Sequence, residues 1–232
     1  MWNSEYPNSL GLFYSAITDF LGFSVNEGEY KMMGLASFGK PKFYEDLKKT
    51  IKFEKKQLIT DTKYYDYVRR TDRSFSNLLI ELLKVEPRQP DISLEIGEKN
   101  FEVYADIAAS AQKVLEELLF SIFQYAHELT KEKKFLFSGG VAMNSAAVSK
   151  CPKLKFIDEL NIPPSPGDSG AAIGASYYGF LNEMNKSQNN FVSKNNIKDY
   201  FFPGKSNANE SFFELAFDKI ANEKESLHET SK

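Results

Sequence analysis

At 232 residues, with 29 basic against 32 acidic side chains and a net charge of -3, the chain is long enough for one large or two small domains and has no global basic field to gather nucleic acid. Its single cysteine, Cys151, rules out an internal disulfide framework and fits a reducing compartment, and two histidines, His127 and His228, are too few for a self-contained His/Cys metal cage. No run approaches the roughly 20 apolar residues of a membrane span, and the opening MWNSEYPNSLG lacks the charged start and apolar core of a secretory signal, so a cytoplasmic protein with no membrane partner is expected.

The first predicted element is a helix over 10–21, where Leu10, Phe13, Tyr14, Ile17, Phe20 and Leu21 recur at steps of three and four; Asn8 or Ser9 can cap its start and Gly22 can end it. So apolar a helix is expected to pack against a sheet. The residues before it cannot supply one, so the chain reads as though it begins in the middle of a fold. The stretch 26–41, NEGEYKMMGLASFGKP, predicts a short helix over 29–36 between Gly28 and the pair Gly39 and Pro41. Two readings stand side by side: Met32, Met33 and Leu35 as core with Glu29 and Lys31 as a solvated face, or Glu29 on a ribose hydroxyl and Lys31 near phosphate, with glycine allowing close approach.

Residues 42–100 change character, with lysine- and tyrosine-rich runs and one amphipathic helix over 74–84 using Phe75, Leu78, Leu79, Leu82 and Leu83; this is expected to be an insertion. The longest predicted helix, 104–130, carries a stripe of Ile107, Ala111, Val114, Leu118, Ile122, Ala126 and Leu129 and is long enough to act as a spine across a sheet. His127 falls at its C-terminal end with no partner acid, which suits a helix-end or packing role. The 20 phenylalanines and 12 tyrosines are spread through every element, as core packing requires, and form no base-stacking platform.

Two strand–turn–helix units follow. Residues 135–137 lead into Ser138, Gly139 and Gly140, and residues 160–162 lead into Gly167, Asp168 and Gly170, which opens a helix continuing to Leu181. Main-chain amides at the start of a helix lack intrahelical acceptors and carry the positive end of the helix dipole, so such turns suit phosphate or a carboxylate-bound cation. A polar linker is expected over 183–199, then an amphipathic helix and a frayed tail over 200–232.

The succession PNSLGLFYSAITDFLGF, NEGEYKMMGLASFG, FSNLLIELLKVEPRQP, YADIAASAQKVLEELL, SGGVAMNSA and PPSPGDSGAAIGAS resembles the O-carbamoyltransferases of nodulation-factor and antibiotic biosynthesis, in order and spacing, across roughly residues 6–182. The FFPGKSNANESFFEL segment looks like a degenerate copy of the strip that follows in that family. The resemblance implies an α/β fold: part of an actin/Hsp70-type (ribonuclease H-like) nucleotide-binding lobe, like that of the tRNA threonylcarbamoyl transferases, carrying an α+β insertion. It also implies a reaction in which carbamoyl phosphate and ATP give carbamoyl adenylate, whose carbamoyl group passes to a hydroxyl of a small metabolite or sugar. Carried over by motif, Gly139, Gly140 and Asn144 match the nucleotide turn, with the Asn amide offering both donor and acceptor. Glu29 and Lys31 match the GEYK motif, with Gly34 and Gly39 after it, and Asp168 matches a carboxylate ligand of a divalent metal, iron or magnesium.

The histidine pair that completes the family's metal site has no counterpart among His127 and His228, and the first lobe and the carbamoyl-activating domain are not recognised in this sequence. The expectation is therefore a fragment or subunit of such an enzyme, incomplete by itself, with a complementing polypeptide as its partner. The alternative is a non-catalytic nucleotide-binding module or degenerate paralogue.

Overall fold

Helix α1 (Leu10–Phe20) opens the fold in the computed structural model, which describes residues 2–183. The chain divides into two compact units, residues 1–171 and 172–232, and the expected linker over 183–199 and final helix and tail over 200–232 lie, but for residue 183, outside the described residues. Ser9 is the residue that caps α1, its Oγ accepting from Leu12 N at 3.3 Å, while Asn8 is taken up elsewhere, its Oδ1 accepting from Thr60 N at 2.9 Å.

After α1 come α2 (Glu29–Ala36), the single turn α3 (Tyr44–Leu47) and an antiparallel hairpin of β1 (Ile51–Glu54) and β2 (Gln57–Thr60), in register from Ile51↔Thr60 to Glu54↔Gln57. Its two-residue turn places Lys55 and Lys56 at φ of 52° and 68°, the left-handed pair that matches the twist of the flanking strands. Helix α4 (Asn77–Leu83) begins later than the amphipathic pattern predicts, because the residues before it are held otherwise: Tyr65 and Phe75 form a β-bridge, and Ser74 N donates to the Asp19 carboxylate at 2.6 Å.

The long helix α5 (Lys99–Thr130) is followed by β3 (Lys134–Leu136), the single turn α6 (Ser145–Val148), β4 (Glu159–Asn161) and α7 (Gly170–Glu183). Strands β3 and β4 pair in parallel, Phe135 opposite Leu160. Among the described residues no helix is long and apolar enough to cross a membrane.

The core gathers around α5, whose Ala105, Ile107, Ala108, Ala111, Val114 and Leu115 are almost completely buried. Burial fades along the expected stripe, and Leu129 is exposed. The packing partners differ from the expectation of a sheet. Helix α1 lies against α5 and α2, α5 packs against α1, α2, α3 and α6, and its contacts with strand segments are to β1 and, through Phe123, to the rings of Phe135 and Phe137 at 5.3 and 5.2 Å. Two strands of three residues cannot cover a helix of 32, so helices cover one another here.

The stretch 42–100, expected as an insertion, contributes Leu47, Ile51, Leu58, Tyr65, Phe75, Leu79 and Leu83 to the same core as Phe13 and Phe20. Edge-to-face pairs of Phe13 with Tyr65 and Phe20 with Phe75 join the two. Between α2 and α3 the backbone passes so close to α5 that a Cβ on Gly39 would lie 1.9 Å from the Ala105 carbonyl oxygen, which explains that glycine by packing.

Burial raises the phenols of Tyr14 and Tyr65 and pushes that of Tyr67 up to about 12 from an ordinary 10.0. The folded chain thus holds protons that the unfolded chain releases near pH 10, so the contribution of these phenols to stability is level below that pH and falls as pH rises beyond it. Thermal melts recorded across the alkaline range should show that decline, and Tyr67→Phe should make it shallower between pH 10 and about 12. An identical slope in the variant would remove Tyr67 from the linkage.

Candidate functional site

Because β3 and β4 run in parallel, both release their chains at the same end, and the two glycine turns meet there. Gly139 N donates to the Pro166 carbonyl at 2.6 Å, linking one turn to the other, and a Cβ on Gly167 would sit 3.2 Å from Met143 Cε. Gly139 has φ 106° and ψ 169°, a region open essentially to glycine alone, so its identity is dictated by backbone geometry.

Gly140 is different. Its φ is ordinary, nothing stands within 4 Å of where its Cβ would be, and it starts the 3₁₀ turn Gly140–Met143. Gly140 N and Val141 N have no hydrogen-bond acceptor among the described residues. Two neighbouring free amides above open space form the kind of concavity that takes an anionic oxygen.

Asn144, immediately after that turn, is buried, and its carboxamide is largely committed. Oδ1 accepts from Gln112 Nε2 at 3.0 Å and from Ala147 N at 2.9 Å, capping α6, while Nδ2 donates to Gln112 Oε1 at 3.0 Å. The sequence expectation of an amide offering both donor and acceptor is corrected here: the oxygen is consumed inside the protein by Gln112 and Ala147, and Nδ2 is shared between Gln112 Oε1 and the Tyr14 hydroxyl.

Behind it, the Tyr14 hydroxyl donates to Gln112 Oε1 at 2.9 Å, Gln112 Nε2 donates to Glu116 Oε1 at 3.0 Å, and Lys150 Nζ reaches both oxygens of Glu116 at 2.6 Å. Sequence reasoning missed Tyr14, Gln112, Glu116 and Lys150 as a group. The available signal was a glutamine and a glutamate among the small and apolar residues of α5, one helical turn apart.

The other expected residues are placed separately. The Glu29 carboxylate staples the start of α2, accepting from Ser15 Oγ at 2.6 Å and Asn26 N at 3.0 Å. Met33 on the same helix brings its Sδ within 3.6 Å of Ser145 Oγ, so α2 borders the Asn144 turn. Lys31 is exposed, 5.9 Å from the ring of Tyr30, and lines an open cleft of about 400 Å³ with Gly22, Phe23 and Arg88.

Asp168 is exposed, and its backbone carbonyl accepts from Ala171 N at 3.0 Å. Among the described residues no group of three or more His, Cys, Asp or Glu is arranged to hold a metal ion. His127 caps the end of α5, its Nδ1 2.6 Å from the Glu132 carbonyl, and stacks on Phe156.

The geometry defines a mixed helix-and-strand domain that offers free main-chain amides at the carboxyl ends of two parallel strands. The family profile described as "Carbamoyltransferase N-terminus" matches residues 1–177, and the chain belongs to that family. It is 34% identical over 185 residues to an uncharacterized protein of Synechocystis sp., covering 75% of this chain and 28% of that protein. It is 29% identical over 181 residues to nodulation protein NolNO of Sinorhizobium fredii (78% of this chain, 24% of that protein). To nodulation protein NolO of Bradyrhizobium diazoefficiens it is 29% identical over 169 residues (73% of this chain, 28% of that protein). The chain therefore spans about a quarter of the length of these curated relatives.

The two adjacent glycines should respond oppositely to a methyl group. Gly139→Ala forces a strained backbone and should cost about 1–3 kcal/mol, whereas Gly140→Ala, with an ordinary φ and open space, should stay within about 0.5 kcal/mol of the parent. Urea denaturation of the two variants checks this, and equal losses would contradict the assignment.

Proposed function

We propose that the chain forms part of the nucleotide-handling lobe, of actin/Hsp70 type, in an ATP-dependent O-carbamoyltransferase. Membership of the carbamoyltransferase family and similarity to NolO and NolNO support the reaction class. The single observation that carries the nucleotide role is Gly140: the space a side chain there would fill is open, and its own N–H and that of Val141 have no acceptor among the described residues at an exposed turn.

In this reading water cleaves carbamoyl phosphate to carbamate and phosphate, and a carbamate oxygen attacks the α-phosphorus of ATP, so that the bond to pyrophosphate breaks and carbamoyl adenylate forms. The acceptor hydroxyl oxygen, on a small metabolite or sugar, then attacks the carbamoyl carbon, the bond from that carbon to the adenylate oxygen breaks, and AMP departs. The N–H groups of Gly140 and Val141 hold phosphate oxygens of the nucleotide and so oppose the negative charge on the departing group. Glycine at 140 lets the phosphate come close enough for those bonds. The latch from Gly139 N to Pro166 O keeps the second turn beside the first, so Asp168 borders the same space.

A single exposed carboxylate does not make a metal site. A divalent ion there, iron or magnesium, would draw its remaining ligands from a complementing polypeptide.

Titration calorimetry of the full chain with ATP tests the reading. Saturable binding is expected in the parent, weakened at least 10-fold in Gly140→Ala while its unfolding transition is unchanged; no binding by the parent would refute the nucleotide role. Binding without carbamoyl transfer from carbamoyl phosphate fits a subunit or binding module. Turnover by the chain alone, abolished by Asp168→Ala, would overturn the need for a complementing polypeptide.

A further inference from the structure

We infer that the open edge of β3 is a docking surface for an extended strand of the complementing polypeptide, running parallel to β3. This rests on the reading given above of the chain as one part of a larger enzyme, and it assigns that partner a place.

The sheet of β3 and β4 has no third strand among the described residues. Lys133 O accepts from Glu159 N at 3.3 Å and Phe137 N donates to Asn161 O at 2.9 Å, so residues 133, 135 and 137 turn their main-chain groups toward β4. These groups alternate in direction along a strand. The N–H and C=O of Lys134 and Leu136 therefore point away from β4, where no partner meets them among the described residues. A row of unpaired main-chain donors and acceptors is a template for one more strand.

The two strands differ in composition. Phe135, Leu136 and Phe137 follow one another without a polar residue, as in a parallel strand covered on both faces, whereas Glu159 and Asn161 flank Leu160 in β4, as suits the margin of a sheet. Phe135 and Phe137 lie on one face, against Phe123 of α5; Leu136 lies on the other and is 77% exposed. β3 thus has the composition of an interior strand in the position of an edge strand.

Length argues for the occupant. NolO, NolNO and the Synechocystis protein extend far beyond the stretch that this chain matches, which is about a quarter of each. In the present reading a second polypeptide brings the chain that those proteins carry themselves. A strand parallel to β3 would leave the sheet at the end where the glycine turns lie, so the partner would reach the candidate site from there. A second copy of this chain fits less well, since two-fold symmetry would run the two β3 strands antiparallel and break the parallel order.

Hydrogen exchange of the full chain, followed by NMR, tests the edge: the amides of Lys134 and Leu136 should exchange at least about 10-fold faster than those of Phe135 and Phe137. Equal rates at the four positions would overturn the open edge. The chain with a photo-cross-linking amino acid in place of Leu136 is then produced in the cells that encode it, and the cross-linked peptides are sequenced. One polypeptide of carbamoyltransferase-family sequence is expected, joined through an apolar stretch of about 4–8 residues, with the Lys134 and Leu136 amides protected in the purified complex.

Recovery of that complex should fall at least about 10-fold in Leu136→Asp, while the melting temperature of the chain, exposed as that side chain is, stays unchanged. Undiminished recovery overturns the inference, as do cross-links to a second copy of this chain, to an unrelated protein or to nothing. These readings need no nucleotide. A complex formed at β3 by a chain that binds no ATP would refute the nucleotide role and leave the docking surface standing, and ATP binding by a chain that forms no such complex would do the reverse.

Discussion

A helix as long as α5 buries polar side chains as well as apolar ones, and each of those must find a partner or cost the full penalty of its desolvation. Four lie on the buried surface: Asp106, Ser110, Gln112 and Glu116. Asp106 takes Lys40 N at 2.7 Å and the Lys42 ammonium at 2.6 Å, and Ser110 takes Phe43 N at 2.9 Å, so together they dock the segment between α2 and α3. Gln112 takes Tyr14 of α1 and Asn144 of the glycine turn, and Glu116 takes Lys150 beyond α6. The apolar stripe supplies most of the attraction between α5 and its neighbours. These four groups decide where along the helix each neighbour sits, because hydrogen bonds have direction and hydrophobic contact does not.

The candidate site inherits its geometry from that spine. The turn after β3 is held from behind by the Gln112–Asn144 pair, and from the side by the bond from Gly139 N to the turn after β4. What remains exposed is the surface of Gly140 with the adjoining amides. A rigid back and an open front are what a ligand-binding turn requires, since donors held in place by buried bonds need little reordering when a ligand arrives. Arg88 plays a comparable holding role elsewhere. Its guanidinium bonds the carbonyl oxygens of Leu21, Gly22 and Ile92 and stacks over Phe23, tying the end of α1 to the loop that leads into α5.

Much of the helical content was legible from spacing. The apolar steps of α1 and α5, the short α2 bounded by glycines and both strand–turn–helix units stand within a few residues of their predicted places. The hairpin of β1 and β2 was not. Its sequence, IKFEKKQLIT, does alternate, but its turn is built from two lysines in left-handed conformation where asparagine and glycine usually signal such a bend, and the lysines read instead as a charged surface. The late start of α4 was also hidden. Ser74 and Phe75 satisfy the helical pattern but are held out of the helix, Ser74 by a bond to the Asp19 carboxylate and Phe75 by a β-bridge to Tyr65, residues about ten or more positions away.

The order of motifs was enough to name the carbamoyltransferase family and to single out Gly139, Gly140 and Asn144, because glycine turns after apolar strands are local features that survive in one dimension. Tertiary structure alone separated their roles: Gly139 is required by its backbone angles, Gly140 is not, and Asn144 has already spent its acceptor on Gln112 and Ala147. It also drew Glu29 into a helix cap and turned Lys31 toward a different cleft. Periodicity reports which face of an element is buried. It carries no information about which polar atom, 32 residues away in the case of Gln112 and Asn144, will arrive to share a hydrogen bond, and that pairing decides what a site has left to offer a ligand.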